Sequence, residues 1–280
     1  MFPTTRVRSA ATGVLIGCLG VACSSTPAYS GWTPEQLYEH GQQAFEEGDW
    51  GEARRAFERL VLTFPGYEHA VDARHFLAQS FIGDSEFLSA VSEYTRIVQV
   101  YPDHPRSPEA WMGLCQSYAS MSPHAERDQQ YTVQARTTCQ NVATDFQGSP
   151  VGDSARAIAQ LMQGKLAEKA YNEGHFYFQR DIFESAELVF LDLLEIYSET
   201  GVAPKAAARL IDIYTEWGWE EQKAEFTARL LSQYPESAEA KAVTAPVAAD
   251  STSVVQSRAP PSWPLASMPP ILPRWTQPSA

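Results

Sequence analysis

Apolar positions recur along the middle of the chain at helical spacing, and the pattern itself repeats. Gly41 and Ala53 are small, Phe57 and Leu60 are large, and Pro65 closes the run. Gly48-Asp49 breaks the pattern between two apolar stripes, as a turn between helices does. Small residues let two helices approach, large ones fill the gap, and proline stops the second helix. A shift of 37 residues places Ala78, Ala90, Tyr94, Ile97 and Pro102 in the same roles. The stops read Thr63-Phe64-Pro65 and Val100-Tyr101-Pro102. A further step of 37 gives a third first-helix, with Trp111, Leu114, Cys115 and Tyr118 on one face. Its partner helix arrives late, from about Thr132 to Phe146, behind the polar insert 122–128. A fourth pair runs from about Ser154 to Tyr197 with a long first helix, and a fifth from about Pro204 to Tyr234. The pattern predicts an all-α solenoid of about five helical hairpins over residues 33–235, divided into N-terminal repeats 33–150 and C-terminal repeats 151–235. Each hairpin buries its apolar face on its neighbours.

Both ends depart from this pattern. Arg6 and Arg8 precede fourteen uncharged residues, Ser9 to Ala22, too few for a membrane span but suited to a signal peptide. The run ends at cysteine, as the signal of a bacterial lipoprotein does. Leu15-Ile16-Gly17-Cys18 matches the lipidation pattern more literally, but leaves a cramped apolar run. Cys23 leaves a full one, followed by the polar Ser24-Ser25-Thr26-Pro27. Residues 1–22 therefore read as a lipoprotein signal and 23–32 as a tether, with Cys23 the favoured lipid acceptor and Cys18 the alternative. Several acyl chains hold a protein stably at a membrane where one holds it weakly. After Pro235 the repeat stops. Eight of the 19 prolines fall in residues 236–280, among Ala and Ser, and such a segment is expected to stay disordered. Trp263 and Trp275 in it could form a short docking motif or be ordinary solvated residues.

Charge narrows the partners. The net charge is −13, which argues against nucleic acid, since that needs a basic face. No nucleotide, zinc or nucleophile motif occurs. The six histidines are scattered and none lies four residues from another, so neither a metal nor a cofactor is implied. The helix faces are accounted for by packing, and the chain reads as a binding scaffold, not an enzyme.

Two sets of residues stand out in this frame. Cys115 and Cys139 both point inward on the paired helices of the third repeat. Export places them where disulfides form, and a bridge would add roughly 3 kcal/mol. Two buried free thiols would also pack well there. The second set lies on the first helices, at the 37-residue step. Gln42, Gln79 and Gln116 form one row; Tyr38, His75 and Met112 form another; Glu35, Asp72 and Glu109 form a third. Glutamine amides both donate and accept, so a row of them can pair the backbone of an extended chain. Tyr38, Met112 and nearby Phe45 could hold aromatic side chains. Exposed helix positions also favour Gln and Glu, and repeats copy their ancestors.

The lipoprotein signal, the five hairpins, the T-F-P and V-Y-P-D-H-P stops and the insert Glu126-Arg127-Asp128-Gln129-Gln130-Tyr131-Thr132 together resemble one family. It is the BamD family, tetratricopeptide-like (TPR-like) outer-membrane lipoproteins of the β-barrel assembly machine. Gln147, where the family tends to end the third repeat in Y-P, and the proline-rich tail depart from it. The resemblance implies a site on the periplasmic face of the outer membrane. It implies two partners: a BamA-like barrel protein on the C-terminal repeats and unfolded outer-membrane protein clients on the N-terminal ones. Arg180 matches a basic position that takes part in BamA docking in the family; Val189 stands where a second basic residue is usual. A cation ending a helix is also favoured by the helix dipole. The rival reading is a periplasmic repeat protein linked to Tol-Pal and envelope constriction; such proteins usually carry an N-terminal coiled coil, absent here.

Overall fold

The hairpin turns set where each helix begins. In the computed structural model, which describes residues 29–244, α1 (Pro34–Glu46) starts at Thr33. The Thr33 hydroxyl accepts from the Gln36 amide while the Gln36 side chain accepts from the Thr33 amide, a reciprocal cap. Gly48 then turns the chain with φ +76°. The Asp49 carboxylate accepts from the Glu52 amide at 2.9 Å and starts α2 (Trp50–Thr63). The same turn recurs one period later at Ser85 (φ 61°), and again at Asp181 (φ 58°) and Gly218 (φ 71°). It separates α3 (Ala70–Gly83) from α4 (Phe87–Val100), α7 (Pro150–Phe178) from α8 (Phe183–Ile196), and α9 (Ala203–Trp217) from α10 (Glu220–Gln233). The third hairpin, α5 (Ser107–Ser120) and α6 (Gln130–Asp145), carries the insert instead.

Packing inside each hairpin follows the small-on-large rule read from the sequence. A Cβ on Gly41 would lie 2.7 Å from the Phe57 ring, and one on Gly174 would lie 2.6 Å from the Phe190 ring. Both pairs are sixteen residues apart, so the first and fourth hairpins share one crossing geometry. Between hairpins, Gly113 lies under the Tyr94 ring. The cores follow hairpin by hairpin: Leu37, Phe57 and Leu60 in the first; Ala78, Tyr94 and Ile97 in the second; Cys115, Cys139 and Val142 in the third; Phe190, Leu210 and Leu230 at the C-terminal end. Five hairpins stack in sequence, each on the next, as the periodicity predicts.

Three features go beyond the pattern. The insert is pinned: Gln129 is buried and its amide donates to the carbonyls of His124 and Arg127, at 2.7 and 3.0 Å. Lys165 and Lys169 of α7 reach across to Ser122 and to the Arg127 carbonyl. Helix α7 runs for 29 residues, twice the length of α8, and starts at Ser149 and Pro150, earlier than expected. Finally, helical structure continues past the boundary placed at 235. Helix α11 (Ala238–Thr244) packs Ala240, 1% exposed, against α9 and α10. The expected tail therefore begins no earlier than 245. The expected signal peptide, along with Cys18, Cys23, Trp263 and Trp275, lies outside the described residues. Among the described residues no helix is long and apolar enough to cross a membrane.

Candidate binding groove

The first helices of hairpins one to three carry the predicted rows. Gln42 and Gln79 are half-buried and Gln116 is exposed. The rows begin as a helix surface would present them, at i and i+4 on each helix. Their neighbours differ from repeat to repeat.

In the middle row, Tyr38 and Met112 are half-buried, but His75 is 4% exposed. This corrects the expectation that His75 lines an open groove. Its ring packs edge-on against Tyr94 and Phe76, with centroids 5.7 and 6.2 Å away. Burial, and then the charge of Arg106, lower the His75 pKa against the pull of Glu109 and Asp72. The ring stays neutral at pH 7, with Nε2 3.7 Å from Glu109 and Nδ1 buried without a partner.

Tyr38 and Phe45 are partly committed to packing. Tyr38 stacks on His69 (5.2 Å, 21°) and meets Phe57, Tyr67 and Phe76 edge-on. Phe45 meets Trp50 and Phe76. These rings form an aromatic wall between the first two hairpins, with one side of Tyr38 and Phe45 left to solvent. Such contacts add roughly 1 kcal/mol each beyond area burial.

The acidic row is crossed by a residue the spacing did not select. Arg106, in the loop before α5, donates from Nε to Asp72 at 2.7 Å and from Nη1 to Glu109 at 2.6 Å. Burial raises the Asp72 carboxyl, but hydrogen bonds from Arg106 and His69 outweigh it and hold the pKa below its ordinary value. The Arg106 guanidinium is itself raised, first by the Asp72 bond and then by Glu109. The row thus presents Glu35 free of an ion pair among the described residues, and a bridged Asp72–Arg106–Glu109 unit beyond it. The sequence held one signal for this bridge: Arg106 stands three residues before Glu109, a spacing that faces a pair on one helix turn.

Cys115 of α5 and Cys139 of α6 form a disulfide with Cα atoms 4.8 Å apart. It closes the third hairpin at the residue before Gln116. Arg180 lies far along the solenoid, just past α7. It is exposed, its guanidinium 3.5 Å from the Phe176 ring centroid, and Nη1 donates to the Phe176 carbonyl at 3.0 Å. That contact caps the helix end as a cation there should. Phe176 and Ile182 are exposed beside it.

No group of acidic, His or Cys side chains among the described residues could hold a metal ion. The arrangement brings together a row of amides, half-buried aromatic rings and a bridged charge row.

Comparisons with known proteins come from sequence and from structure. The chain is 24% identical over 219 residues to the outer membrane protein assembly factor BamD of Caulobacter vibrioides, covering 78% of this chain and 72% of that protein. It is 22% identical to BamD of Rickettsia prowazekii, covering 72% and 80%, and 21% identical to BamD of Vibrio cholerae, covering 74% and 90%. Among solved structures, a TPR repeats protein from Bacteroides fragilis aligns with TM-score 0.44 and 12% identity, over 75% of this chain and 95% of that one. A TPR protein from Thermus thermophilus aligns with TM-score 0.32 and 16% identity, over 75% and 96%. Residues 31–230, from the cap of α1 to near the end of α10, match the family model YfiO, described as an outer membrane lipoprotein, and the chain belongs to that family.

Proposed function

We propose that the chain is a non-catalytic scaffold in the assembly of outer-membrane proteins, the role named for its BamD relatives. One observation carries the reading: the family match spans the hairpin stack almost from end to end, and so includes the groove surface itself. In this reading the amide row and the aromatic wall of hairpins one to three take extended segments of unfolded outer-membrane proteins. The rows contact backbone and aromatic side chains and so suit clients that share little sequence. The C-terminal repeats dock a BamA-like barrel protein, with exposed Arg180 and the neighbouring Phe176 and Ile182 supporting a surface there. A lipid on Cys23, or on Cys18, holds the scaffold at the periplasmic face of the outer membrane. Mass spectrometry of the mature N-terminus distinguishes the two cysteines, and an unlipidated N-terminus overturns the anchor.

Capture from detergent-solubilised envelopes tests the role. A BamA-like barrel protein is the expected main partner; recovery of Tol-Pal components in its place overturns the reading. Arg180→Ala should weaken that capture by about tenfold if the side chain is a docking anchor. Unchanged capture assigns Arg180 to the helix end alone.

A further inference from the structure

A second polar cleft lies away from the groove. Helix α6 places Arg136 and Gln140 one turn apart on one face, with Gln147 following the helix. Helix α7 places Arg156, Gln160 and Gln163 on one face by the same spacing. The two helices form an antiparallel pair, so these stripes meet across a cavity of about 310 Å³. The length of α7 (29 residues against 14 in α8) leaves room for it, and Glu199, Thr200 and Gly201 of the loop after α8 lie beside Gln160 and Gln163. The volume is within the usual range for ligand sites.

Its chemistry is unlike that of the rest of the molecule. Residues 24–235 carry 31 acids against 16 bases, yet two guanidiniums approach this cleft and Glu199 is the one carboxylate among its lining residues. Arg136 Nε is buried with no hydrogen-bond partner, a costly state for a charged donor. Arg156 meets Asp153 at 3.3 Å through one nitrogen, leaving most of its five donors free. Among the described residues neither arginine pairs with Glu199. Guanidiniums match carboxylates in shape and charge, and glutamine amides match a peptide backbone.

We infer that this cleft binds an acidic peptide segment in extended form, its side-chain carboxylates on Arg136 and Arg156 and its backbone on the glutamines. The site is separate from the first-helix groove and does not rest on the client-binding reading. Glu199 at the rim disfavours weakly acidic or neutral passers-by only slightly, but repels the carboxylates the arginines attract, so it tunes the affinity downward.

Fluorescence anisotropy of fluorescein-labelled hexaglutamate against the full-length chain tests this, with hexaglutamine as the neutral comparison. The expected result is tighter binding of hexaglutamate, weakened by salt. Arg136→Gln and Arg156→Gln should each weaken it by about tenfold, Glu199→Gln should tighten it, and Arg96→Gln, at an exposed position on α4, should leave it unchanged. If R136Q lowers the melting temperature, exposed R156Q carries the comparison. Equal binding of the two peptides, or wild-type affinity in R156Q, overturns the proposal. Displacement by inorganic phosphate as effective as by unlabelled hexaglutamate reassigns the cleft to small anions and overturns it too.

Discussion

Glu52 accepts from three side chains. Tyr29 and Arg55 bond its carboxylate closely, and His40 Nε2 lies 2.8 Å away. The Tyr29 bond first, then the His40 bond and the Arg55 contacts, outweigh burial and hold the pKa at about 2. Burial first, and then the hydrogen bond and charge of Glu52, push the Tyr29 hydroxyl up to about 12 against the opposing pull of Arg55. A carboxylate depressed in the folded state stabilises the fold above its unfolded pKa, and that stabilisation is lost as pH falls through the folded value. For Glu52 the window runs from about pH 4.5 down to about 2. The side chain is 24% exposed, so solvent screening reduces the effect to about 1–2 kcal/mol. Glu52→Gln should therefore melt below wild type at pH 7, with the gap closing as both are titrated through that window. A gap that stays constant with pH would show that shape, not charge, carries the contribution. Tyr29 belongs by sequence to the segment read as a tether; at the residue scale it is the clasp that fastens that segment to the first hairpin.

At the scale of the element, the hairpin turns repeat more faithfully than their sequences. The left-handed position is glycine at Gly48 and Gly218 but Ser85 and Asp181 at the equivalent places. An L-residue there costs about 1–2 kcal/mol in backbone conformation. Ser85→Gly should raise stability by up to about 1 kcal/mol, since glycine also loses more entropy on folding; thermal melts measure it. Gly41→Ala should do the opposite. Alanine is the better helix former by about 1 kcal/mol, but its methyl would sit 2.7 Å from a Phe57 ring that is itself fully buried. Overpacking of that kind costs about 1–3 kcal/mol, and the clash should win. These two contrasts mark what was legible in the chain. The Gly41–Phe57 contact follows from spacing alone, because helix geometry fixes which residues meet inside one hairpin. The five helix pairs were legible for the same reason. The burial of His75 was not: equal spacing assumes equal neighbours, and the step of 37 that leads from His69 to Arg106 puts a longer, charged side chain over Phe76 and onto Asp72. Helix α11 was missed because seven residues are too few to show a period, and its Ala240 contact is tertiary. The buried anchor Gln129 sits in an insert that looked like solvated polar chain; it is held there because its amide donates to the turn carbonyls of His124 and Arg127 and its oxygen accepts from the Thr132 hydroxyl.

At the scale of the whole molecule, stacking converts a 37-residue repeat into parallel rows of side chains. Gln42, Gln79 and Gln116 reach the surface on three successive first helices, and each keeps an amide with no hydrogen-bonded partner among the described side chains. The rows beside them are not uniform. Aromatic rings crowd the first junction, the Asp72–Arg106–Glu109 bridge crosses the second, and the disulfide fixes the hairpin that carries Gln116. A chain lying along the amides would therefore meet aromatic surface at one end and charge at the other, which orients it. A client groove on these rows would thus have a polarity that identical repeats would lack. Photocrosslinkers placed at 42, 79 and 116 test the idea against a peptide from the C-terminal strand of an outer-membrane client. Arg59 and Arg96, exposed on the second helices and related by the same 37-residue step, serve as controls. The expected yield is higher from all three glutamine positions than from either control. Aromatic residues of the peptide should be recovered mainly at position 42, beside Tyr38 and Phe45. Equal or higher yield from positions 59 and 96 would place client contact on the other face of the solenoid and remove the groove reading. Yield from 42, 79 and 116 with no preference for peptide aromatics at 42 would keep the amide row and discard the orientation.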